Sequence, residues 1–350
     1  MAVAANLIPQ TEYFSQEDYD RDIARTLYLL RDLAPNAEGK PLPEFSERLQ
    51  SLLGYSVTEY CDLAFASAMK PFAADTKAVE KYHVLAVTAQ NFATTSIAPS
   101  KAEKFLNSIA GDEKNYQDVT AATGLHASDF TLFRDRPFLR HGTDFVPLDL
   151  GFVLDKAGRS LFWTALKNCP SAERATLLQH WGELFDRYVS TLLANSLSQD
   201  CTFLARPRFA DDAEAADGAV REGTTLILLE YKASAISSAI KYADDPGSLE
   251  RVLESRFVQG EGRKRKGLAQ LSHAIKRFAE GHEILDSVSG AQIHPSGIQK
   301  IIPVLVHLDN TLRTPRIPHY MSVRFKSLGR VKRFTVTPVV LMPITELEEL

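Results

Sequence analysis

The stretch AADGAVREGTTLILLEYKAS, residues 215–234, decides how this chain folds. Its second half places Leu226, Ile227, Leu228 and Leu229 in a row and leads straight into Glu230, Tyr231 and Lys232. An apolar run of that kind reads as a buried strand, and charged side chains are seldom left at the end of one unless they are paired or bind something. Side chains two apart on a strand point the same way, so Glu230 and Lys232 share one face, and Leu229 and Tyr231 share the other. Gly223 and Thr224 supply a turn upstream. A hairpin closed there, from residues 217–220 and 227–230, sets Asp217 directly across from Glu230. Facing side chains of such a pair lie within about 5 Å of each other.

Two carboxylates at that distance repel unless something positive sits between them. A pair of acids with a lysine suits a hard cation, since Mg²⁺ takes one or two carboxylates and fills its remaining positions with water and substrate phosphate. A lysine beside the metal orients or deprotonates the attacking water and stabilises charge developing on phosphorus. Asp217, Glu230 and Lys232 are therefore the candidate catalytic set for phosphodiester hydrolysis, with Asp217 and Glu230 as metal ligands. Asp211 and Asp212 in FADDAEAAD compete for the first position, and the hairpin register favours Asp217. The alternative reading of Glu230 and Lys232 is a plain ion pair at a strand end, and such a pair contributes little on a surface.

Further segments surround this hairpin. Upstream, SAERATLLQHWGELFDRYVSTLLANSL, residues 171–197, carries Leu177, Trp181, Leu184, Phe185, Tyr188 and Leu192 at helical spacing and reads as a long amphipathic helix. It also bears Glu183 and Asp186, three apart and near one face. TFLARPRF, 202–209, reads as a strand before the hairpin. Downstream, KGLAQLSHAIKRF, 266–278, reads as a helix with Gln270 one turn in, inside a helical region over 244–282 that QGEGRKRKG interrupts. KIIPVLVHLD and RFTVTPVVLMPI read as two more strands. The order helix, strands, helix, strand, strand predicts a mixed α/β core.

An upstream acid followed, about a dozen residues on, by E-x-K at the end of an apolar strand resembles the PD-(D/E)XK nuclease superfamily. The resemblance covers roughly residues 171–310. It implies a restriction-endonuclease-like mixed β-sheet core flanked by helices. It also implies an opening helix whose acid faces the site, for which Asp186 is the better match and Glu183 the second. The Ala233 carbonyl is implied as a further metal ligand, and Gln270 as a side chain near the metal, with Mg²⁺ as cofactor and Mn²⁺ as substitute. In the variant with a Q-x-x-x-Y motif a tyrosine would stand at 274, where this chain has Ala274. The expected activity is metal-dependent endonuclease cleavage of DNA, in restriction or anti-phage defence in a prokaryotic cytoplasm. A protein partner in a multi-component defence system, and a homodimer for cutting both strands, belong to the same expectation. The alternative is a catalytically silent nuclease-like scaffold that binds nucleic acid or a protein.

The charge distribution points to the same partner. The chain's net charge is −4, yet residues 256–333 hold fifteen Lys/Arg against five Asp/Glu, a local excess of +10. GRKRKG, 262–267, places Arg263, Lys264, Arg265 and Lys266 just before the Gln270 helix, as candidate contacts to a phosphate backbone or as a solvated loop.

At 350 residues and 45% apolar content, the chain has material for two domains. Residues 1–160 are expected to form a mainly helical domain of unknown role, and 161–350 the nuclease-like domain, with a C-terminus that ends soon after its last strand. Helices are predicted after a capped start at Ser15, over a run containing Phe45, Leu49, Leu52 and Leu53, and around 57–69, 77–92, 101–109 and 115–123. The aromatic stretch 127–166 reads as short strands, a hairpin or a connection. Cys61, Cys169 and Cys201 lack metal or redox spacing and suit a reducing cytoplasm. No segment reaches the roughly 18 apolar residues of a membrane helix, and the N-terminus lacks the basic start of a secretory signal. No phosphate-binding loop, nucleophile elbow or paired-histidine zinc motif is present.

Overall fold

The computed structural model describes every residue except 15–18, 37–40, 74–83, 94, 124–128, 244, 260–265, 287–288, 330 and 350. Its contacts divide into two units, Tyr13–His180 and a second built from Met1–Glu12 with Trp181–Leu350. The chain is mixed α/β. Among the described residues no helix is long and apolar enough to cross a membrane.

The Tyr13–His180 unit is mainly helical. Phe45 and Leu49 are buried on Pro41–Leu53, as their spacing predicts. Val57–Phe72 opens with a capping box in which the Ser56 hydroxyl accepts the Glu59 N–H and the Glu59 carboxylate accepts the Ser56 N–H. Helices Pro99–Ser108 and Glu113–Thr123 fall where expected. The aromatic stretch contains a hairpin, Phe138–His141 against Asp144–Pro147, with Ala110–Gly111 beside it. The helix expected over 77–92 is not formed in its described part. Val87 instead bridges Phe145, and only Ala89–Phe92 coils, as a short 3₁₀ turn. There the Asn91 carboxamide accepts the Thr88 N–H at 2.7 Å, a local bond that competes with helix. The Ser15 start lies outside the described residues.

The expected junction near 160 falls inside this unit. Ser160–Asn168 packs on Pro41–Leu53 and Leu150–Ala157, with the Phe162 and Phe45 ring centroids 6.2 Å apart. The first twelve residues, expected in the helical domain, join the other unit because Ala4, Ala5 and Ile8 bury one face of Ala2–Phe14 in its core.

The second unit is organised by a six-stranded mixed sheet. Its strands are β1 Cys201–Ala205, β2 Gly218–Glu222, β3 Thr225–Lys232, β4 Lys300–His307, β5 Thr335–Val336 and β6 Val340–Pro343. The order is β5-β4-β3-β2-β1, with β6 also on β4. β1, β2 and β3 form an antiparallel meander, whereas β4 runs parallel to β3, and β5 and β6 parallel to β4. Helix α1, Arg174–Ser196, leads into β1, and α2, Leu268–Ala279, lies in the crossover that a parallel β3–β4 pair requires. Leu226 and Leu228 of β3 and Ile301 and Leu305 of β4 pack with Leu268, Leu271, Ala274, Ile275 and Phe278 of α2. Two expected strands are broken at prolines, which cannot donate to a ladder. TFLARPRF stops at Ala205 before Pro207, and Arg208–Phe209 pairs elsewhere, with Ile284–Leu285. The last strand divides around Pro338 into β5 and β6.

Candidate active site

The β2–β3 hairpin has the register anticipated from the turn at Gly223-Thr224: Gly218 pairs with Leu229, and Glu222 with Thr225. Asp217 lies one residue before β2, outside the paired register, which starts at Gly218. The Asp217 N–H donates to the Leu229 carbonyl at 3.0 Å, and its Oδ2 accepts the Tyr231 N–H at 2.6 Å. That second bond pins the carboxylate beside β3 at the level of Glu230. Gly218 has to follow, because a Cβ there would collide with the Tyr231 hydroxyl.

Glu230 is 1% exposed. Its Oε1 accepts the Lys232 ammonium at 2.5 Å and the Gly267 N–H at 3.0 Å, while its buried Oε2 has no hydrogen-bond partner among the described residues. Gly267 caps the N-terminus of α2 with φ +58° and ψ −130°, a backbone shape reserved for glycine, and a Cβ there would overlap the Phe257 carbonyl. The positive end of α2 thus has a carboxylate bound at its N-cap.

The electrostatics follow from this crowding. Burial, and then the neighbouring Glu230 charge, push the Asp217 carboxyl well above the ordinary range, with Lys232 only partly opposing them. Burial pulls the Lys232 ammonium down, but the Glu230 and Asp217 carboxylates outweigh it and hold its pKa above that of a free lysine. Burial likewise raises Asp186 against the opposing pull of Arg206.

Asp217, Glu230 and Lys232 are therefore brought together. Asp186 of α1 lies close enough to act on Asp217, and its side chain is ion-paired with Arg206. Glu183, one turn earlier and half-buried, acts on Arg206. Ala233 is buried directly after β3. Gln270 sits half-buried in the first turn of α2, its N–H on the Gly267 carbonyl at 3.1 Å. Lys266 is exposed beside Gly267, whereas Arg263, Lys264 and Arg265 lie outside the described residues. Among the described residues no group of three or more His, Cys, Asp and Glu side chains gathers in the manner of a protein-only metal cage. Sequence reasoning missed Gly267, Arg206 and Glu214, an exposed acid that acts on Asp186 and Lys232. Only Gly267 carried a signal, as a glycine just before an apolar-periodic run.

Compared with protein-family models, curated proteins and solved structures, the chain matches none of them.

Proposed function

We propose that this protein is a metal-dependent nuclease of the PD-(D/E)XK type that hydrolyses phosphodiester bonds in DNA. One observation carries the reading: the Asp217 carboxylate, held on the Tyr231 N–H, acts directly on Glu230, Lys232 is bound to Glu230, and a buried Glu230 oxygen lacks a donor among the described residues. A buried carboxylate oxygen without a donor is costly, and so are two repelling acids. Both costs are relieved by a hard divalent cation, so the residues fit Mg²⁺ or Mn²⁺ held by Asp217 and Glu230, with the Ala233 carbonyl as a third donor. Such sites need only one or two carboxylates, consistent with the lack of a larger cage. Bound there, the cation would acidify a water molecule and offset charge on the phosphate. The succession of α1, three antiparallel strands, α2 and the parallel β4 supports the restriction-endonuclease-like core that the resemblance implies.

The Lys232 ammonium, on Glu230 Oε1 at 2.5 Å, stands at the site for both of its expected roles. It orients or deprotonates the attacking water and stabilises charge developing on the phosphate. A place in restriction or anti-phage defence is family analogy and rests on no contact in this site.

Cleavage of supercoiled plasmid and of single-stranded DNA at low salt, with Mg²⁺ or Mn²⁺, tests the reading. Activity is expected to vanish in EDTA and to fall by at least about 100-fold in Lys232→Ala. Salt-sensitive binding without cleavage by the wild type would select the silent scaffold instead, and cleavage that survives Lys232→Ala would place the chemistry elsewhere.

A further inference from the structure

We infer that Arg206 is the residue that contacts the substrate phosphate in this site, and that Asp186 is the positioning residue that aims it. The inference rests on the nuclease reading and deepens it. Arg206 directly follows β1 with φ +51°, a left-handed conformation that side chains with a Cβ rarely adopt. That turn sets its N–H on the Asp217 carbonyl at 2.9 Å, so the strained residue is tied to the main chain of a proposed metal ligand. Its guanidinium then reaches Asp186 on α1. Nε donates to Asp186 Oδ2 at 2.6 Å, and Nη2 converges on the same oxygen. The Arg206 side chain is 57% exposed, whereas that of Asp186 is 15% exposed.

An ion pair with one partner so open to water contributes little to stability. It does not account for a strained backbone held at this place, and strain of this kind gathers at ligand-holding positions. The arrangement also leaves most of the guanidinium unused, since two of its five donors fall on one carboxylate oxygen. The remaining donors form the planar fork that suits a phosphate.

Charge points the same way. The acids acting on one another here are Asp186, Glu214, Asp217 and Glu230, with Glu183 acting on Arg206. A phosphodiester approaching so acidic a cluster needs a cation at its mouth. Lys232 is bound to Glu230 with a 15% exposed side chain, whereas Arg206 faces solvent. Asp186, which the resemblance implies as the acid of the opening helix facing the site, becomes the group that holds the arginine.

The experiment compares wild type with Arg206→Gly, Arg206→Lys, Asp186→Asn and the Arg206→Gly/Asp186→Asn double variant. Glycine keeps the left-handed backbone at ease and removes only the side chain. Binding to a labelled duplex is followed by fluorescence anisotropy against salt, with Ca²⁺ as the cation, and cleavage is followed against Mn²⁺ concentration. Arg206→Gly should weaken binding about tenfold and reduce the slope of log K against log salt by about 0.9, the value of one phosphate contact. Arg206→Lys should recover part of the affinity. Asp186→Asn should shift binding in the same direction, the double variant should be no worse than Arg206→Gly, and the Mn²⁺ concentration for half-maximal cleavage should stay unchanged throughout. An unchanged salt slope in Arg206→Gly would overturn the inference, as would a several-fold rise in the Mn²⁺ requirement of Asp186→Asn. Wild-type protein that binds but does not cleave would remove the nuclease reading while the slopes still judge Arg206. A wild type that does neither overturns both.

Discussion

Asp309 and the Asp217–Glu230 pair lie near the C-terminal ends of neighbouring parallel strands, and they treat buried negative charge in opposite ways. Asp309 is 6% exposed, and both its oxygens are satisfied. Oδ2 accepts the Ile236 N–H at 2.6 Å, and Oδ1 accepts the Lys241 ammonium at 3.1 Å and the Thr311 N–H and hydroxyl at 2.9 and 2.7 Å. Burial would raise its pKa, but Lys241 and these donors outweigh burial and hold it below the ordinary range. Asp217 goes the other way, and Glu230 keeps an oxygen with no donor among the described residues. The helical unit follows the Asp309 pattern: Asp22 is ion-paired with Arg25 at 2.6 Å and with Arg159 at 2.7 Å. A saturated buried acid braces the fold, whereas an unsaturated one beside a like charge is where we propose that a cation binds.

The largest expected effect breaks the saturated cluster. Asp309→Ala strands the Lys241 ammonium and the Ile236 and Thr311 N–H groups, and should cost about 3–5 kcal/mol in urea unfolding. A loss under about 1 kcal/mol would show that saturation and bracing are unrelated here.

His307 comes next. It is 1% exposed on β4, in register with Lys232. Burial holds its pKa down to about 4. The unfolded chain takes up this proton near pH 6.5 and the folded chain only near 4. The His307 contribution to stability should therefore be level above about pH 6.5 and fall as pH drops through that window, by up to about 3 kcal/mol. His307→Leu should flatten the fall, as read by unfolding midpoints between pH 4 and 7. The depressed Asp309 carboxyl also makes the fold less stable as pH falls, but only below about pH 4.

The smallest effect has the opposite sign. With a raised folded pKa, Asp217 takes up its proton more readily in the folded chain, so its contribution weakens as pH rises. Asp217→Asn should stabilise the metal-free protein by about 1 kcal/mol, a Tm rise of roughly 2–4 °C. Cleavage should be lost in the same variant, and Mn²⁺ should raise the Tm of the wild type but not of the variant. A lower Tm for Asp217→Asn would mean that the carboxylate braces the hairpin as Asp309 braces its loops.

Much of the site was legible because it is local. Strand alternation set Glu230 and Lys232 on one face, and one turn, Gly223-Thr224, brought Asp217 beside β3, where its carboxylate accepts the Tyr231 N–H. The burial of Phe45 and Leu49 followed from helical spacing for the same reason. The helix over 77–92 was misjudged because Val87 is claimed by Phe145, a partner 58 positions away. The junction near 160 was misjudged because Phe162 packs on Phe45.

The sequence by itself determined the hairpin, its register, the shared face of Glu230 and Lys232 and the alternation of helices and strands around them, since each depends on neighbours within about twenty residues. The tertiary structure alone decided which charges are satisfied. Gly267 reaches Glu230 across 37 positions, Arg206 reaches Asp186 across 20, and Lys241 meets Asp309 across 68. Whether a buried acid braces the fold or awaits a ligand depends on the donors that surround it, and those arrive only when distant segments pack.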